Sequence, residues 1–148
     1  MPELPDVTAY LDALRERIGN ARLEKIRLFN PFLLRTAVPP IASAEGKRVI
    51  GLRRLGKRVV IELEGQLFLV LHLMIAGRLH WQGKKTRSTL ALFEFDTGTL
   101  SLTEAGSKRR ASLHLVQGEA ALRAMDPGGI EVLEADLQQF ASRLRAEN

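Results

Sequence analysis

Apolar side chains return along the chain at two spacings, and the change between them divides it. Val7, Leu11, Leu14 and Ile18 recur at the period of an amphipathic helix, Asp6 is a cap, and Gly19-Asn20 supplies a stop. Beyond the helix come short apolar runs separated by turn signals: Leu23 to Phe29, Lys47 to Leu55, Arg58 to Leu63, Gln66 to Leu73, Arg78 to Trp81, Thr89 to Phe95, Thr99 to Thr103 and Ala111 to Val116. Such a series predicts an all-antiparallel sandwich or barrel, with Glu64-Gly65 and Asp96-Thr97-Gly98 as hairpin turns. Val59-Val60-Ile61 and Leu67 to Leu71 are apolar on both faces, which predicts the most deeply buried pair of strands. Gly118 to Met125 reads as a short helix and Asp126-Pro127-Gly128-Gly129 as a break, and Leu137, Phe140, Ala141 and Leu144 form one face of a last helix. That last face either packs on the body of the domain or opens a further one. The expected fold is mainly β with flanking helices: a two-layer antiparallel β-sandwich with an N-terminal helix and one or two C-terminal helices.

At 148 residues with 45% hydrophobic side chains, one domain with a single core is expected. The formal charge of +5 favours a polyanionic partner such as nucleic acid. There is no cysteine, which excludes disulfides, thiol nucleophiles and cysteine-bound metals within this chain, and three scattered histidines do not form a metal spacing. No apolar run approaches the ~20 residues of a membrane helix and no signal-peptide pattern opens the chain, so a cytoplasmic protein is expected.

The amino end carries the most suggestive chemistry. Removal of Met1 before a small second residue leaves Pro2 with a free secondary amine, which titrates well below a lysine ammonium and is partly neutral at physiological pH. A neutral amine attacks an electrophilic sugar or carbonyl carbon and forms an iminium, and Glu3 is held beside it by covalent geometry. Pro5 restricts Leu4 to extended geometry, so these residues project from a helix rather than from a loose tail. Basic residues gather as Arg53-Arg54 with Lys57-Arg58, as Lys84-Lys85 with Arg87, and as Lys108-Arg109-Arg110. Each cluster reads as a junction between strands, and three on one rim would make a phosphate-binding edge, whereas any one alone reads as a solvated turn. Lys57 follows Gly56 at a tight turn that can aim its ammonium. His72, within Leu71-His72-Leu73, reads as a hydrogen-bonded core histidine. No catalytic triad and no phosphate-cradling glycine loop is present.

Taken together, Met1-Pro2-Glu3-Leu4-Pro5-Asp6-Val7, Arg53-Arg54-Leu55-Gly56-Lys57 and His72-Leu73-Met74-Ile75-Ala76-Gly77 resemble the amino-terminal catalytic domain of the formamidopyrimidine-DNA glycosylase and endonuclease VIII family. The resemblance covers essentially the whole chain and implies a β-sandwich flanked by helices. It implies that Pro2 attacks C1′ of a damaged nucleotide and forms a Schiff base, that Glu3 serves as acid and base beside it, and that Lys57 is the hairpin lysine that donates a proton in β-elimination. The partner is then damaged double-stranded DNA, with the target nucleotide flipped out and wedge residues filling the gap. Met74 and Ile75 stand in the wedge, where Ile75 takes the place of the family's methionine and Met74 that of a glycine. Arg109-Arg110-Ala111 keeps an arginine for the orphaned base and lacks the family's aromatic plug, and a DNA-contacting histidine just before Thr89 has no counterpart. Leu4-Pro5 is closer to the oxidised-purine branch than to endonuclease VIII.

The resemblance further implies residues 1–133 as the catalytic domain and 134–148 as a linker helix or the start of a second domain, so an isolated, weakly active domain is expected. Family members add a helix-two-turn-helix domain and a zinc finger or zincless equivalent, so no cofactor is expected within this chain and zinc belongs to a further domain. A monomer associated with the bacterial nucleoid is expected. Two rival readings are a non-catalytic DNA-binding module on the same scaffold and a β-sandwich interaction domain.

Overall fold

The computed structural model describes residues 7–106 and 109–125. It divides into two compact units, residues 1–117 and 118–148. The first contains helix α1 (Val7–Ile18) and eight strands: β1 (Arg22–Leu28), β2 (Lys47–Leu55), β3 (Arg58–Leu63), β4 (Leu67–His72), β5 (Gly77–Trp81), β6 (Thr89–Phe95), β7 (Gly98–Glu104) and β8 (Ser112–Gln117). No strand end departs from the sequence expectation by more than one residue. Where Gln66 was expected to open β4, its φ of 61° makes it the last residue of the turn.

The strands run antiparallel in the order β5-β7-β6-β1-β2-β3-β4-β8. The join between β1 and β2 is short, pairing only Arg22 with Arg48 and Leu23 with Lys47. Past it β1 leaves β2, and the Ile26 amide that loses a strand partner donates instead to the Glu45 carboxylate at 2.9 Å. The sheet thereby folds into two four-stranded layers, β5-β7-β6-β1 and β2-β3-β4-β8, as the expected sandwich requires.

One core lies between the layers. Leu23, Phe93, Phe95, Leu100 and Leu102 from one side meet Val59, Ile61, Leu69, Leu71, Leu113 and Leu115 from the other. Helix α1 packs on β2 and β3 and adds its predicted stripe of Val7, Leu11, Leu14 and Ile18 to that core. Strands β3 and β4 are buried on both faces, since Val60, Phe68 and Val70 on the side away from the core are also inaccessible. The outer edge of β8 is covered rather than left open. Leu113 donates to the Leu33 carbonyl and accepts from the Arg35 amide, both at 2.9 Å, and the Thr36 hydroxyl accepts from the Leu115 amide.

The second unit is described over residues 118–125, where α2 (Glu119–Arg123) forms the expected short helix. The break at residues 126–129, the last apolar face and the boundary at 133/134 lie outside the described residues, as do Pro2 and Glu3.

Leu69→Ala, at a fully buried position of β4, should cost about 2–5 kcal/mol in urea denaturation. Ile50→Ala, on the exposed face of β2, should stay within about 0.5 kcal/mol.

Candidate nucleic-acid interface

Strand register brings the described candidates Lys57, Met74, Ile75, Arg109 and Arg110 to one rim. Arg58 pairs with His72 and His72 with Ser112, so the starts of β3 and β8 lie level with the end of β4. The Gly56-Lys57 hairpin, the turn with Met74 and Ile75, and the segment with Arg109 and Arg110 therefore meet along one edge of β2-β3-β4-β8. Gly77 pairs with Glu104 in the other layer, and the Glu104 amide donates to the Ser88 carbonyl at 2.9 Å, so Arg87 and Ser88 reach the same edge. The far rim holds the hairpins at residues 64–66 and 96–97 and the end of α1, where the Thr97 hydroxyl donates to the Arg17 carbonyl.

Lys57 is presented as expected. Gly56 takes φ 62° at the first position of a two-residue hairpin between Leu55 and Arg58, a place that suits glycine, and its carbonyl accepts from Arg54 Nε at 2.7 Å. This fixes the turn and leaves the Lys57 side chain exposed. The adjoining arginines flank the junction within the expected runs, Arg53 and Arg54 near the end of β2 and Arg58 opening β3. Arg53 is also engaged away from the rim, 3.3 Å from the Glu62 carboxylate and 5.1 Å above the Phe68 ring.

The turn from residue 73 to 77 is closed by hydrogen bonds. The Gly77 amide donates to the Leu73 carbonyl at 2.9 Å, and Arg78 donates to the carbonyls of Ile75 and Gly77. A Cβ on Gly77 would lie 2.2 Å from the Leu73 oxygen, so glycine is required there. Met74 adopts φ 60°, a left-handed conformation favouring glycine, so this backbone is kept without the usual residue. Ile75, 75% exposed, is the apolar side chain offered at the tip.

The two arginines on the neighbouring segment divide their tasks. Arg109 donates to the carbonyls of Gly106 and Arg87, tying the two basic segments together, whereas exposed Arg110 makes no hydrogen bond or ion pair among the described residues. Below them the buried Glu104 carboxylate accepts from the Ala111 amide at 3.1 and 3.3 Å, closing the base of the loop. Nothing in the apolar pattern marks Glu104, which lies just past the expected run Thr99 to Thr103 and two residues before Gly106. Lys108 lies outside the described residues. Lys85 lies 4.9 Å above the ring of Phe29, and Phe32 is 77% exposed beside the segment that edges β8.

His72 is not a core residue. It ends β4 on the face away from the core and is half-buried, level with Arg58. Burial, then Arg58 and Lys57, hold its pKa below the ordinary histidine value. His114 on the same face is lowered by burial, then by Arg35, Arg58 and His72. Arg58 Nε and His114 Nδ1 are buried without a hydrogen-bond partner among the described residues. No three His, Asp or Glu side chains gather among the described residues, and with no cysteine present nothing here fits a zinc finger.

The sequence profile of the formamidopyrimidine-DNA glycosylase N-terminal domain matches residues 1–116. The chain belongs to the formamidopyrimidine-DNA glycosylase family. A formamidopyrimidine-DNA glycosylase of Solibacter usitatus is 29% identical over 147 residues, covering 98% of this chain and 54% of the relative. That of Heliobacterium modesticaldum is 34% identical over 137 residues, covering 86% and 49%. The chain thus spans about half the length of these formamidopyrimidine-DNA glycosylases. The fold agrees with that of Lactococcus lactis FPG, solved in complex with a FAPY-dG containing DNA, at a TM-score of 0.74, 20% identity, 83% coverage of this chain and 47% of that one.

The histidine pair predicts a pH dependence with a definite sign. With folded values depressed, the unfolded chain binds more protons as pH falls below about 6.5, so the pair's stability is complete above that value and lost below it. Urea midpoints measured on both sides of this value should fall with acid in the natural chain. His72→Gln with His114→Gln should lessen the fall; an unchanged fall would remove the pair as its source.

Proposed function

We propose that this chain is the catalytic domain of a DNA glycosylase and abasic-site lyase acting on oxidised bases, with oxidised purines favoured. The observation that carries the reading is the family match over residues 1–116, which spans Pro2, Glu3 and Lys57. In this scheme the Pro2 nitrogen bonds to C1′ of the flipped nucleotide as the bond from C1′ to the base breaks, and opening of the sugar ring yields the iminium. Glu3 moves the protons of ring opening. Loss of a C2′ proton then expels the 3′ phosphate, with Lys57 as the proton donor for that departure. The scheme uses no cofactor in this chain.

DNA is proposed to lie along the near rim, its backbone drawn by Lys57, Arg87, Arg109 and Arg110. The hydrogen-bonded turn presents Ile75 as wedge beside Met74, and Arg110, without a hydrogen bond or ion pair among the described residues, is the arginine read as meeting the opposite base. Residues 1–133 are read as the catalytic domain and 134–148 as the start of the next segment. The activity of this stretch of chain taken by itself is proposed to be weak. A second reading, DNA binding without catalysis, is favoured by one observation: the wedge is altered at Met74 and Ile75, and the plug position is Ala111.

Borohydride trapping on abasic-site duplex tests the choice. A covalent adduct is expected, with Pro2→Gly lowering its yield and Lys57→Ala slowing strand cleavage by about 10²-fold or more. Salt-sensitive binding with no adduct would select the non-catalytic reading.

A further inference from the structure

The outer face of the β5-β7 pair holds a cavity unrelated to the wedge turn or the Lys57 hairpin. Its volume is about 290 Å³, and it lies where the segment after β5 crosses back over the sheet. His80, Lys84, Ser88, Ser101 and Thr103 line it together with Gly83, and no Asp or Glu is among its lining residues.

Two features set this cavity apart from an ordinary surface dimple. First, Ser101 is 1% exposed and its hydroxyl has no hydrogen-bond partner among the described residues. A buried hydroxyl is normally satisfied, so an orphan in a cavity wall marks a place where a polar ligand atom would be favoured. Second, Gly83 lies directly against that hydroxyl. A Cβ at Gly83 would sit 2.5 Å from Ser101 Oγ and 3.1 Å from the His80 Cβ, so any other residue would crowd the wall.

The lining chemistry indicates the ligand class. Lys84 offers three N–H donors and no acceptor, and Ser88, Ser101 and Thr103 offer hydroxyls. His80 Nε2 lies 3.0 Å from Thr103 Oγ1, which orients both groups. A positive charge, several hydroxyls and no carboxylate suit an oxyanion. The volume is at the lower edge of the range for small-molecule sites and is ample for an oxyanion with its hydration water.

We infer that this cavity is an oxyanion site that takes a phosphate group, with Ser101 and Lys84 as its principal donors. The phosphate comes either from orthophosphate in solution or from a nucleic-acid backbone, since Ser88 in the lining abuts the near rim through its bond with Glu104. The first source is independent of the proposed repair chemistry, and the second rests on it.

The test is an amide-resonance titration of the 148-residue chain with orthophosphate, ionic strength being held constant with chloride. Saturable shifts confined to residues 83–88 and 101–103 are expected. Ser101→Ala and Lys84→Gln should each weaken binding by about tenfold. Shifts that do not saturate, that chloride reproduces, or that persist unchanged in both variants would overturn the site. Repeating the titration with abasic duplex bound separates the sources: loss of the phosphate response with weaker duplex binding by Ser101→Ala assigns the pocket to the backbone, and an undiminished response assigns it to free phosphate. Because Lys84 is exposed, Lys84→Gln remains informative if Ser101→Ala disturbs the sheet.

Discussion

Everything at the candidate interface depends on the hydrogen-bonded register of β3, β4 and β8. Arg58, His72 and Ser112 stand side by side across these strands, and a slip of one residue would turn every side chain of a strand to the other face. Val59, Ile61, Leu69, Leu71, Leu113 and Leu115 would then leave the core, so burial itself locks the register. The same lock aligns the three chain segments that carry Lys57, Ile75 and Arg110, far apart in sequence and tied to one edge in space. Stability and site geometry here come from one set of contacts.

Local devices then refine what the register aligns. Glycine at a left-handed position fixes the Lys57 hairpin, and the Gly77 amide bond to Leu73 with the Arg78 guanidinium on the Ile75 and Gly77 carbonyls holds the Ile75 turn. The buried Glu104 carboxylate closes the arginine segment. Basic side chains gather at this edge, and the pKa values of the two histidines are depressed first by burial and then by nearby cations. A surface of this kind is stabilised by an anionic partner, which links the electrostatics of the free protein to the partner proposed for it.

Much of this was legible in the sequence, and the pattern of success has a physical basis. The helix and all eight strands follow from local periodicity, because amphipathic period and turn residues act over a few positions. The family was legible through short motifs, and the exposed turn position of Lys57 through the glycine that precedes it. What periodicity could not carry was nonlocal. The corner between β1 and β2, the Glu104 carboxylate bound to Ala111, and the orphan hydroxyl of Ser101 depend on partners remote in the chain or in space. His72 was misread as a core residue because its apolar neighbours Leu71 and Leu73 face the core while the strand's alternation turns His72 away. Met74 gave no sign of its left-handed backbone, since only glycine or asparagine would advertise one.

The central claim is that one rim of the sandwich, and not the other, receives nucleic acid. Amide hydrogen exchange with and without an abasic-site duplex tests it most directly. The account predicts slower exchange at residues 56–58, 74–77, 85–88 and 109–112, with residues 64–66 and 96–98 unchanged. Slowing at the far-rim hairpins, or no slowing along the near rim at a duplex concentration that saturates binding, would contradict it.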